Sequence, residues 1–171
     1  MLMFANGALG GPDLAQDPGT LKQFEAAAHE VSLALAKDLA RDGEGAKTLI
    51  ECVVEGARSE ADARVAARTV VSSPLVKTMI TGRDPNLGRV MMALGRSGAD
   101  IDVARLSVWI GRHCAFQGGT PTTLELSVIS KEMAAPDVQL RVDLGLGAFK
   151  ATAWGCDFTE EYVRINAHYT T

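Results

Sequence analysis

Val138-Gln139-Leu140-Arg141-Val142-Asp143-Leu144-Gly145-Leu146-Gly147-Ala148-Phe149-Lys150-Ala151-Thr152-Ala153 decides how this chain is read. Val138, Leu140, Val142 and Leu144 alternate with Gln139, Arg141 and Asp143, so one side of an extended segment is apolar and the other polar. Gly145-Leu146-Gly147 then offers a tight turn into Phe149, Ala151 and Ala153. The pair reads as an antiparallel hairpin. A neighbouring antiparallel pair argues against a doubly wound parallel sheet and for an α+β class, a mixed α/β sandwich of a partly antiparallel sheet packed with helices.

Working outward, Ile50, Cys52 and Val54 share one face of a second strand over 48–55, opposite Glu51, Val53 and Glu55. Leu106, Val108 and Ile110 alternate in a third. Leu21, Phe24, Ala28, Val31, Leu35 and Leu39 recur at steps of three and four, one side of a helix that Thr20 and Gln23 would open as a capping box. Residues 60–72 form another helix, which Pro74 ends or kinks, and a short one follows from Leu75 to Ile80. Asn86 is placed to cap a helix from Leu87 to Arg96. Thr120-Pro121 is expected to start a helix reaching Ala134, and Asp157 with Glu160 to open a last one ending near His168.

The chain has 171 residues and a net charge of −4, with no basic run. Nucleic acid and anionic membrane surfaces are therefore poor partners. The length suits one domain, and residues 1–171 are read as a single unit. Cys52, Cys114 and Cys156 are too few and too scattered for a disulfide framework or a zinc knuckle, and no histidine pair has ligand spacing, so no metal is expected. The apolar start, Met1 to Ala5, lacks the basic flank of a signal peptide and is too short to span a bilayer. A cytoplasmic location follows as an expectation. Gly145-Leu146-Gly147 fails as a dinucleotide fingerprint because Lys150 stands at the third glycine position, and Gly43-Glu44-Gly45-Ala46-Lys47 lacks the spacer of a phosphate-binding loop.

Three places remain open between two readings. Glu44, between two glycines, is either a presented carboxylate or a solvated turn residue. Asp84-Pro85-Asn86-Leu87-Gly88-Arg89 is either an anion site or an ordinary capped turn. Asn166 and the terminal Thr171 are either ligand contacts or a fraying end.

At these places the sequence resembles the ornithine acetyltransferase family, also called the glutamate N-acetyltransferase family. The matching strings are Ala5-Asn6-Gly7, Asp42-Gly43-Glu44-Gly45-Ala46 and Ser73-Pro74-Leu75-Val76-Lys77-Thr78. Gly82-x-Asp84-Pro85-Asn86-x-Gly88-Arg89, Gly155-Cys156-Asp157-Phe158-Thr159 and the tail Tyr162-Val163-Arg164-Ile165-Asn166, ending Tyr169-Thr170-Thr171, follow in the family's order. Leu87 departs from the tryptophan usual there.

The resemblance implies a fold shared with self-processing aminopeptidases. It also implies an enzyme of arginine biosynthesis that moves an acetyl group from N-acetylornithine to glutamate, some members also accepting acetyl-CoA, with no other cofactor. It makes Glu44, Asn166 and Thr171 substrate-binding residues. The nucleophile, a threonine freed by self-cleavage, belongs to a part of the family pattern upstream of the matched region, so no catalytic residue falls in this chain. A terminal threonine suits that role because its own α-amine can activate its hydroxyl. The implied partners are an α chain or upstream fragment and a higher oligomer. Two rival readings are a truncated, inactive paralogue and a secondary-metabolism acetyltransferase of the same family.

Overall fold

The computed structural model describes residues 3, 6–8, 10–11 and 13–168. Two units are compact in themselves, Met1–Leu39 and Ala40–Thr171. The first is dominated by helix α1 (Pro18–Arg41), which runs on into the start of the second. Its cap is not Thr20. The Asp17 carboxylate accepts the amides of Gly19 and Thr20, both at 3.1 Å, and the Thr20 hydroxyl at 2.7 Å. Pro18 then sits at the first helical position, where its missing N–H costs nothing. The expected apolar stripe is present, yet no residue of α1 is buried and Leu39 is 79% exposed.

In the second unit the order is β1 (Leu49–Ala57), α2 (Glu60–Ser72), α3 (Pro74–Gly82), α4 (Leu87–Gly95), β2 (Ser107–Ile110), β3 (His113–Gln117), β4 (Thr120–Pro121), α5 (Leu126–Glu132), β5 (Asp137–Asp143), β6 (Phe149–Cys156) and α6 (Glu160–His168). The class is α+β, a mixed six-stranded sheet of order β4-β3-β2-β5-β1-β6 packed with helices. α2 lies on the sheet over β1 and β6 through Ala63, Ala66, Ala67, Val70 and Val71, all buried. Small residues let it approach closely: a Cβ at Gly155 would already touch Val71. Ile50, Cys52, Val54, Leu140 and Val142 form the centre of the core beneath.

The expected hairpin is the main correction. β5 and β6 both exist, but they are not neighbours. β1 lies between them, parallel to β5 and antiparallel to β6. Strands one removed are about 10 Å apart, two strand spacings, which the five residues 144–148 cross easily. They pass over the end of β1, where Gly56, at a φ of +68°, sits in a register shift between Val54 and Ala57. The Gly56 carbonyl accepts the amides of Leu146 and Gly147 at 2.8 Å, and the Glu55 carbonyl accepts Leu144 at 2.9 Å. A side chain at Gly147 would collide with the Ala57 carbonyl. The glycine turn therefore serves a crossing, not a hairpin.

A second correction concerns Thr120-Pro121, which form the edge strand β4 instead of starting a helix. The helix begins only at Leu126. Proline has no N–H to give a ladder, and an edge strand does not need it.

The face of the sheet away from α2 is polar and half-exposed. Trp154 Nε1 and Gln139 Nε2 each donate to the Glu51 carboxylate at 2.7 Å. Arg141 reaches Glu55 at 3.0 Å while lying 3.8 Å over the Trp109 ring.

On the core side, burial pushes the Cys52 thiol up to about 12, with the Glu51 charge adding to the effect. Cys52 is expected to resist alkylation in the native protein at pH 8 while the half-buried Cys114 reacts, read by mass spectrometry of peptides. The sign for stability follows. Above about pH 9 the unfolded thiol ionises and the folded one does not, so this group lowers stability as pH rises from 9 towards 12. Labelling of Cys52 at the rate of the unfolded protein would contradict this burial.

Candidate functional site

α1 ends at Arg41, and the chain turns at once. The Ala46 amide donates to the Gly43 carbonyl at 2.7 Å, closing a turn with Glu44 and Gly45 at its centre. Gly45 has a φ of +87°, the value the third turn position needs in a type II turn. A Cβ there would lie 2.6 Å from the Tyr162 amide nitrogen. Only glycine meets both demands, the positive φ and the close approach of helix α6. Glu44, at the tip, is exposed.

Helix α6 fixes this turn from below. The Thr159 hydroxyl accepts the Tyr162 amide at 2.9 Å, capping the helix, and donates to the Gly45 carbonyl at 2.6 Å. One turn further on, Asn166 Nδ2 donates to the Tyr162 carbonyl at 2.8 Å and to the Glu44 carbonyl at 3.5 Å. Glu44 and Asn166, 122 residues apart in sequence, thus share one patch of surface. Among the described residues, neither the Glu44 carboxylate nor Asn166 Oδ1 has a hydrogen-bond partner. An unpartnered carboxylate on a fixed turn suits a cation bearing several N–H donors. Thr171 lies outside the described residues.

Asp157 does not cap α6, as its spacing from Glu160 suggests. Thr159 does. The Asp157 carboxylate is buried and accepts the amides of Lys47 at 2.8 Å and Thr48 at 3.2 Å, and the Thr81 hydroxyl at 3.3 Å. Its own amide donates to the Thr48 carbonyl at 3.0 Å. Asp157 therefore ties the segment after the Glu44 turn to α3 and to the start of α6. Sequence reasoning missed Thr159, whose signal was only a threonine three residues before Tyr162. A cleft of about 460 Å³ opens on this side, lined by Lys47, Thr81, Arg83, Asp157 and Glu161 among others, but neither Glu44 nor Asn166 borders it.

The Asp84–Arg89 turn is an ordinary helix junction. Arg89 Nη1 donates to the Leu75 carbonyl at 3.2 Å and the Thr78 hydroxyl at 3.0 Å, so its guanidinium is turned back onto α3. Asn86 stands at the cap position of α4 without a side-chain hydrogen bond to it.

Fold and site together define an α+β protein in which a glycine-flanked turn, held on helix α6 by Thr159 and Asn166, presents a carboxylate. Comparison with known proteins makes this specific. The ArgJ family model matches residues 1–171. The chain is 44% identical over 179 residues to the arginine biosynthesis bifunctional protein ArgJ of Prochlorococcus marinus, matching 99% of this chain and 41% of that protein. It is 46% identical over 162 residues to the glutamate N-acetyltransferase of Methanosarcina mazei, matching 88% of this chain and 40% of that one. The crystal structure of the arginine biosynthesis bifunctional protein ArgJ from Bacillus halodurans superposes with a TM-score of 0.91 at 37% identity, over 96% of this chain and 78% of that one. The chain belongs to the ArgJ family. It spans about two fifths of the length of the relatives it matches.

Proposed function

We propose that this chain is the substrate-binding part of a self-processed acetyltransferase that moves an acetyl group from N-acetylornithine to glutamate. What carries the reading is the unpartnered Glu44 carboxylate on a turn that Thr159 and Asn166 hold against α6. N-Acetylornithine keeps a free side-chain ammonium, and a carboxylate held in place pairs with it strongly because the hydrogen bond is charge-assisted. Asn166 orients the amino-acid end through its amide. Thr171 adds a hydroxyl. Family membership supports the reaction class, and the reacting threonine is supplied from outside the 171 residues.

In an enzyme assembled from this chain and the remainder of the family's sequence, Glu44→Gln is expected to lower kcat/KM for N-acetylornithine by roughly 30- to 160-fold. That corresponds to about 2–3 kcal/mol, the scale for a hydrogen bond to a charged group. Steady-state kinetics on the two proteins decide it. An unchanged kcat/KM would make Glu44 a solvated turn residue and withdraw the assignment.

A further inference from the structure

Lys77 lies on α3, outside the group that the reading above uses. Its ammonium carries three donor hydrogens. Among the described residues it meets one hydrogen-bond acceptor, the Cys156 sulfur at 3.8 Å, and stands 6.0 Å from the centre of the Tyr162 ring. A thiol is a weak acceptor, and 6 Å is about the outer limit for attraction by a ring face. A half-buried ammonium with such partners has given up part of its hydration without gaining an anion in return.

Its position relative to Glu44 follows from the packing of Gly43. A Cβ on Gly43 would lie 2.8 Å from the same Cys156 sulfur and 3.2 Å from the Tyr162 ring. The Lys77 ammonium and the residue before Glu44 therefore meet on one thiol. Tyr162 links them again, since its carbonyl holds Asn166 and its ring faces Lys77. Lys77 on α3 and the turn that carries Glu44 thus share two neighbours, Cys156 and Tyr162. Cys156 is itself buried beneath Gly43, which leaves its thiol no open approach for chemistry of its own.

We infer that Lys77 is a specificity residue of this site, pairing with the carboxylate of the amino-acid ligand while Glu44 takes the ammonium at its other end. The inference rests on the reading of Glu44 given above. A cation and a carboxylate on neighbouring elements recognise a dipolar molecule, and they reject a diamine of the same chain length that has no carboxylate to offer Lys77.

Equilibrium dialysis of the 171-residue chain against ornithine and against putrescine, its decarboxylated counterpart, tests this. The wild-type chain is expected to prefer ornithine by about tenfold or more, the scale of one charged contact. Lys77→Met and Lys77→Gln should lower ornithine binding to the putrescine level and leave putrescine binding unchanged or raised, because a cation facing the diamine is gone, while Lys77→Arg keeps most of the preference. A preference that survives both neutral variants overturns the inference. So does a loss that falls on both ligands alike, which would mark Lys77 as a packing residue. Glu44→Gln separates the two claims: it should weaken both ligands, and if it weakens neither, the Glu44 reading fails while the Lys77 ratio still stands or falls by itself. A wild-type chain that binds neither ligand overturns both.

Discussion

Given N-acetylornithine and glutamate, the purified 171-residue chain is expected to release no ornithine above the uncatalysed rate. The role proposed for the Glu44 turn is to hold a substrate, and holding is not chemistry. Acyl transfer through an acetyl-enzyme needs a nucleophile and donors for the developing oxyanion. In the family pattern that this sequence resembles, the nucleophile comes from outside the matched region, and the chain spans only about two fifths of its relatives' length. Removing one oxyanion donor costs roughly 10²- to 10³-fold in rate, and removing a nucleophile costs on the order of 10⁶-fold. Lack of the nucleophile alone should push turnover below detection. Supplying the remainder of the family sequence by co-expression should restore it. Turnover by the chain alone that disappears with Glu44→Gln, once a contaminating host enzyme is excluded, would show that a nucleophile lies within the 171 residues.

The second large effect is expected at Gly45. Gly45→Ala places a methyl group 2.6 Å from the Tyr162 amide nitrogen and 2.8 Å from the Glu161 carbonyl carbon, at a φ of +87° that side chains rarely adopt. The neighbours are helix backbone, which cannot swing aside as a flexible side chain would. Left-handed strain alone costs about 1–3 kcal/mol, and the collision adds to it. A loss of about 3 kcal/mol would lower the thermal midpoint of a chain this size by roughly 6–12 °C. The Thr159–Gly45 hydrogen bond should be lost with it, freeing the turn from α6. Gly82→Ala is the matched control, because nothing stands within 4 Å of its would-be Cβ and its φ is not positive. It should leave the midpoint unchanged or raise it slightly. Equal midpoints for Gly45→Ala and wild type would mean that the turn is not seated on α6 as described.

Site legibility in the sequence was uneven. Glu44 stood out because two glycines flanked it, and Asn166 because a family pattern reached it. That the two adjoin could not be read from a separation of 122 residues. Thr159 illustrates the limit most clearly. As a letter it is one more threonine before a helix, and its role depends on a hydroxyl that serves two partners at once, one local and one from the distant turn. Lys77 belongs to a quoted string, yet nothing in that string says its ammonium would rest on Cys156.

Local physics is what the sequence by itself determined. Period-two alternation marked β1, β2 and β5 because a strand with one buried face must repeat every two residues, and Pro74 marked the junction of α2 and α3 because its ring forbids an uninterrupted helix. Tertiary structure decided the pairing. The Val138–Ala153 stretch carries the same alternation and the same glycines whether its strands touch or stand one strand apart. β1 enters between them because its Ile50, Cys52 and Val54 face can be buried under α2 while both its edges are hydrogen-bonded, to β5 on one side and β6 on the other. That choice is made by burial and ladder bonds summed over pairs of residues 88 to 107 apart in the chain, and no window of neighbouring residues contains it.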